Sequence, residues 1–180
     1  MEQRENQRVR LSKRLIKESL TRLLQTESIH KVSIRTLCEE AGVNRSTFYK
    51  YYGSQYDVLE ELEADVIRQI CGSLEEADSD SRRIELICLY IEQNMATVQM
   101  LVGNNIDPEF PKKLFDLPQL KGMIVTRLSQ QFDGESQEYI YTFIINGCYC
   151  MIQRWLSQDT QRPFDEVAQL MRDMIGKICM

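Results

Sequence analysis

Arg45, Ser46, Thr47, Tyr49, Lys50 and Tyr51 put two cations, two small hydroxyls and two phenols within seven consecutive positions. Every one of these groups donates hydrogen bonds, and Arg and Lys add positive charge. Such a set suits a polyanion: phenols and hydroxyls reach phosphate oxygens, while Arg or Lys can read guanine O6 and N7 in a major groove. Phe48 and Tyr52, four residues apart in the same stretch, share one face of a helix and are expected to point inward. The predicted arrangement is a short helix anchored by those two rings, with the hydrogen-bonding groups turned outward.

Bond-making chemistry needs a different constellation, and the chain lacks it. There is no phosphate-cradling glycine loop, no nucleophile elbow and no metal-ligand spacing. The single histidine, His30, falls in a polar loop, where solvation or a backbone bond is its expected state. Cys38, Cys71, Cys88, Cys148, Cys150 and Cys179 stand singly in apolar helical patterns, without a C-x-x-C pair. They read as small buried hydrophobes in a reducing cytosol, not as a zinc site or a disulfide framework. No enzyme, no metal and no cofactor is expected.

The elements that must carry the outward-facing groups are helical. Apolar residues recur with helical periodicity nearly everywhere, and no alternating β-run or internal repeat is visible. Helices are expected at about 6–25, 34–41, 45–52, 54–76, 82–102, 118–131 and 136–158, with a final one opening at Pro163. A short helix between Pro108 and Pro118 makes about nine. The fold class is all-α. Ser33 and Asn44 are placed to cap the second and third helices, and Gly42 to end the second by taking positive φ. Ser54 and Asp57 form a cap for the fourth. The stretch 33–52 is thus a helix–turn–helix whose second helix is free to lie in a major groove. The longest apolar stretch, Ile140–Ile152, is too short to cross a bilayer. No apolar stretch follows the charged N-terminus, so no signal peptide is read and a cytoplasmic location is expected.

Charge divides the chain in the same place. Residues 1–53 hold 11 basic and 6 acidic residues, net +5, and residues 54–180 hold 11 basic and 21 acidic, net −10. The total of −5 therefore conceals a basic head and an acidic body. The expected domains are a DNA-binding head, 1–53, and a helical body, 54–180.

The stretch SIRTLCEEAGVNRSTFYKYYGSQYDVL resembles the N-terminal domain of the TetR/AcrR family of bacterial transcription regulators. Ser33, Ala41, Gly42, Val43, Thr47, Phe48, Tyr49, Tyr51, Tyr52, Ser54 and Leu59 fit the family pattern. FIINGCYCMIQRWLSQDTQRPFDEVAQLM is similar to the C-terminal domain of many Firmicutes regulators of that family. The resemblance implies that Tyr49, Tyr51 and Thr47, with Ser33 and Arg35, meet phosphates of double-stranded DNA. It implies that Arg45, Ser46 and Lys50 touch bases. Gln55 departs from the pattern, because the family usually carries there a lysine that reaches a phosphate. A flexible basic arm containing Arg4, Arg8, Arg10, Lys13 and Arg14 is expected to offset that loss.

In the body, the helix at 136–158 is apolar on nearly all sides, more than a body of this size can cover alone. The family usually dimerises through its last two helices, which implies a homodimer here. Cys148, Ile152, Trp155, Leu170 and Met174 are the expected contact residues. The family also commonly holds a small-molecule effector in the body, with Tyr90, Met95, Phe110, Met123, Tyr141 and Asn146 as candidates for lining its pocket. The expected function is a ligand-responsive repressor binding a near-palindromic operator. The alternative is a regulator-like coactivator or adaptor working through protein contacts.

Overall fold

Helix ends in the computed structural model fall largely where a side chain or a glycine can satisfy unpaired backbone groups. The structure describes the backbone of residues 2–103, 106–157 and 162–178, and side chains from residue 7 onward. Asn104, Asn105, Cys179 and the Arg4 side chain lie outside the described residues. Among the described residues are ten α-helices, one π-helical turn and no strand. The chain divides into two compact units, residues 1–66 and 67–180.

The first unit holds α1 (Glu2–Leu23), α2 (Ile34–Ala41), α3 (Arg45–Tyr49) and the opening turns of α4 (Gln55–Glu75). Ile16, Leu20, Leu24, Leu37, Phe48 and Val58 are almost wholly buried in its core. The Ser33 hydroxyl accepts the Thr36 N–H at 3.0 Å and caps α2. Gly42 then takes φ 63° and ψ 30°, and Val43 N–H reaches back to the Cys38 carbonyl at 3.0 Å. A side chain at Gly42 would meet no atom, so only the left-handed backbone opposes one. Gly42→Val is accordingly expected to cost about 1–2 kcal/mol, measured as a lowered urea midpoint of the first unit with an unchanged slope.

Asn44 holds the N-cap position of α3 with extended backbone but makes no side-chain cap bond, contrary to expectation. The α3 helix is instead pinned by Phe48, which is fully buried, and by Tyr52 just beyond it. Asp57 accepts the Gly53 N–H at 2.7 Å and the Ser54 hydroxyl at 2.6 Å, closing the start of α4. Those bonds, the Ser54 one first, hold the Asp57 carboxyl below its ordinary value.

The second unit continues α4 and adds α5 (Asp80–Gln93), α6 (Met95–Val98), α7 (Phe110–Phe115), α8 (Pro118–Leu128), α9 (Gly134–Ser157) and α10 (Phe164–Ile178). The single helix expected at 82–102 is broken. The Asn94 side-chain amide donates to the Tyr90 carbonyl at 2.9 Å, competing with the backbone for that acceptor. A π turn, Gln99–Gly103, follows α6 and buries Met100, Leu101 and Val102. The Gln153 amide of α9 donates to the Val102 carbonyl at 3.1 Å, so this irregular buried backbone stays satisfied. Pro163 precedes the first residue of α10 rather than opening the helix. The Trp155 ring packs on Phe164 at 4.7 Å, and its N–H donates to the Arg162 carbonyl at 2.9 Å, closing the α9–α10 connection.

Candidate nucleic-acid interface

Burial of Phe48 and Tyr52 decides which side of α3 faces water. Arg45, Ser46, Tyr49 and Lys50 are exposed, while Thr47 and Tyr51 are half-buried. Tyr49 stands edge-on to Phe48 with centroids 5.6 Å apart and keeps 54% of its surface exposed. Its ring is thus held by the core while its hydroxyl end stays free to bond. The Lys50 ammonium lies 5.8 Å from the Tyr51 ring, so cation and phenol occupy one patch. Ser33 and Arg35, at the start of α2, are also exposed.

Not every basic residue of the head is available. Arg35 donates to Glu39 at 2.8 Å, and Arg22 to Glu40 at 3.0 Å. Arg14 pairs with Glu18 at 3.6 Å. Lys13 donates to Glu61 at 2.9 Å, and Lys17 bonds both Glu61, at 3.4 Å, and Asp65. Arg8, Arg10, Lys31, Arg45 and Lys50 have no ion-pair partner among the described residues. The flexible arm expected at the N-terminus is corrected on two counts. Residues 2–23 are helical, and Lys13 and Arg14 are engaged within the unit. His30 is bound neither to backbone nor to solvent alone: it shares a 2.7 Å hydrogen bond with the hydroxyl of exposed Tyr56, next to Gln55.

The candidate ligand residues scatter. Tyr141 and Asn146 line an open cleft of about 800 Å³ in the second unit, together with Phe115, Lys112, Lys121 and Tyr149. The Tyr141 hydroxyl donates to the Phe115 carbonyl at 2.7 Å, and the Lys121 ammonium sits 5.3 Å from the Tyr141 ring. Burial, and then Asp116, push the Tyr141 phenol up to about 12. Tyr90 borders a separate polar hollow with Arg68, Ser73 and Gln93. Phe110 is core, and Met95 and Met123 are half-buried outside both hollows. Among the described residues, no group of His, Cys, Asp and Glu is arranged to hold a metal ion, and no helix is long and apolar enough to cross a membrane.

The candidate contact residues of α9 and α10 separate by exposure. Leu170 and Met174 are exposed, whereas Cys148, Ile152 and Trp155 are half-buried against their own unit. Burial raises the Cys148 thiol to about 11. The large hydrophobic residues that α9 exposes are Tyr139, at 72%, and Phe143, at 67%. Gly147 and exposed Cys150 extend the same face, and a side chain added at Gly147 would meet nothing. Sequence periodicity could not single out this stripe, because apolar residues lie on nearly all sides of α9.

Known proteins match both units. Residues 17–62 match the family described as bacterial regulatory proteins, tetR family, and residues 81–177 match that of the transcriptional regulator C-terminal region. The chain is similar to the "Uncharacterized HTH-type transcriptional regulator YxbF" of Bacillus subtilis (strain 168), with 20% identity over 174 residues. That match covers 90% of this chain but only 44% of YxbF, so the chain spans less than half of its relative's length. Its fold is similar to the crystal structure of a TetR transcriptional regulator from Streptococcus agalactiae 2603V, with TM-score 0.74 and 20% identity. That match covers 97% of this chain and 99% of the other.

Proposed function

Because the chain belongs to the TetR family of bacterial transcription regulators, we propose that it is a homodimeric, ligand-responsive repressor that reads a near-palindromic operator with α3. The observation that carries this reading is the exposed Arg45–Ser46–Tyr49–Lys50 surface on a helix fixed from behind by buried Phe48. In this reading residues 1–53 are the DNA-binding head and 54–180 the effector and dimerisation body. Tyr49, Tyr51, Thr47 and Ser33 bond phosphates, and Arg45, Ser46 and Lys50 meet base edges. Arg35 contributes less than its charge suggests, because Glu39 already holds it. The 800 Å³ cleft beside Tyr141 and Asn146 is the seat of the effector. An effector that binds two states of the body unequally shifts the population away from the DNA-competent one.

The test is fluorescence anisotropy with genomic fragments across a salt series. Tyr49→Ala is expected to weaken binding to specific and nonspecific DNA alike, with a shallower salt slope if its phosphate contact steers a nearby cation. Arg45→Ala is expected to cost about 1–3 kcal/mol and to relax base preference at one position. Equal losses on every sequence for both variants would remove the base-reading role from Arg45. A second reading, an adaptor acting through protein contacts, is favoured by Gln55 and by the engagement of five head cations in ion pairs. Failure of any fragment to bind at low salt would decide for it.

A further inference from the structure

One carboxylate in the first unit serves more partners than a simple ion pair needs. Glu61, on the second turn of α4, accepts Lys13 at 2.9 Å and Lys17 at 3.4 Å, both from α1. The Lys13 ammonium also lies over the Tyr52 ring, 5.3 Å from its centroid. Tyr52 is 4% exposed and stands at the end of the recognition segment, stacked on Phe48 at 5.6 Å. Its hydroxyl is sealed from water without a hydrogen-bond partner, and burial first, then the Glu61 carboxylate, push the phenol well above its ordinary value. The side chains of Glu61, Lys13 and Lys17 keep between 21% and 32% of their surface, so the cluster is neither free in solvent nor sealed in the core.

We propose that Glu61 is a positioning residue for DNA recognition: it holds α3 in its reading orientation by fixing Lys13 over the Tyr52 ring, and keeps Lys13 away from DNA. Phe48 fixes the depth of α3, but one ring is a pivot and leaves rotation about itself. Tyr52, buried beneath the Lys13 ammonium that Glu61 holds, supplies the second point. Burial opposes ionisation of Glu61, yet Lys13, Tyr52 and Lys17 together hold its carboxyl below the ordinary value, so it is charged at neutral pH. Removing the charge frees Lys13 from its ion pair, while Lys17 stays held by Asp65. The freed lysine adds sequence-independent attraction to phosphate, while the loosened helix loses base contacts. Specific and nonspecific affinities therefore move in opposite directions, which a loss of stability alone does not produce.

This rests on α3 as the DNA-reading helix, and the experiment has two arms that fail separately. Glu61→Gln keeps size and one acceptor but removes the charge. In the full chain, the ratio of specific to nonspecific affinity is expected to fall about tenfold, with nonspecific binding unchanged or tighter. Lys13→Met, which removes the cation between Glu61 and the Tyr52 ring, is expected to reproduce part of the loss, and Glu61→Gln to add little further in that background. In the absence of DNA, amide exchange in Glu61→Gln is expected to quicken over residues 45–52 and to stay unchanged over 34–41. An unchanged affinity ratio, or strictly additive effects of the two substitutions, would overturn the proposal even if wild type binds DNA well. Uniformly faster exchange across the unit would overturn it as well, reducing Glu61 to general stability. If wild type shows no sequence-selective binding, the DNA reading falls, and the exchange arm still decides whether Glu61 orders α3.

Discussion

Phe48→Ala is expected to lower the stability of the first unit by about 3–5 kcal/mol and to abolish DNA binding, while the second unit stays folded. Phe48 is fully buried and touches both Tyr49 and Tyr52, each with centroids 5.6 Å away. The α3 helix has five residues, far too few to persist without tertiary packing. Truncating the ring leaves a cavity beneath a helix whose one buried residue it is, with Tyr52 anchored only beyond the helix end. A domain with about 5–15 kcal/mol of total stability cannot absorb that loss and keep a fixed recognition surface. The chain carries its own separate probe, because its only tryptophan, Trp155, packs on Phe164 in the second unit. Urea titration should leave the Trp155 transition in place while amide protection over residues 34–52 disappears. Simultaneous loss of both signals at a lower urea concentration would instead mean that the two units unfold as one.

The head was legible in the sequence because its signals are local. Ser33, Gly42, Ser54 and Asp57 set helix ends with bonds that span no more than five residues. The i, i+4 spacing of Phe48 and Tyr52 was enough to orient α3. What the sequence hid was long-range. Nothing near Lys13 or Lys17 announces that they meet Glu61 and Asp65, some 44 to 48 residues away. Arg14, Arg22 and Arg35 pair with acids already subtracted in the +5, but Lys13 and Lys17 pair with Glu61 and Asp65 beyond residue 53, so the +5 overstates the charge offered to a phosphate by two. In the proposed reading, exposed Arg45 and Lys50 matter more than the sum.

The body was legible as helix but not as surface. Asn94 broke a helix that periodicity ran through: its backbone leaves helical geometry at φ −122° and ψ 31°, while its side-chain amide and its own N–H both bond the Tyr90 carbonyl. Phe110 and Met100 have the size and polarity of pocket residues and turned out to be core, at 1% and 0% exposure. Hydrophobic type alone cannot separate the lining of a cleft from the filling of a core. On α9 the difficulty is greatest, since an all-round apolar helix carries no phase. Trp155 is spent on Phe164, and Tyr139 and Phe143 are left facing outward.

That outward stripe sets the other large effect: Phe143→Glu is expected to turn a dimer into monomers and to reduce operator affinity by about a hundredfold or more. Two rings separated by one helical turn, each more than two-thirds exposed, are costly to leave in water. Burying one such ring against a partner contributes about 2–3 kcal/mol, and two-fold symmetry counts each substitution twice, so about 4–6 kcal/mol of dimer stability is at stake. Two carboxylates brought together near the symmetry axis would add repulsion. Gly147 on the same face leaves room for close approach of a second helix. In the proposed reading the head depends on this association, because an unpartnered α3 meets only one half-site. Sedimentation velocity should show the mass halved and the fold retained, with Trp155 fluorescence unchanged. Ile152→Glu, on the inward side, should instead destabilise the second unit itself. A Phe143→Glu chain that stays dimeric and binds DNA as tightly as wild type would move the interface away from this face of α9.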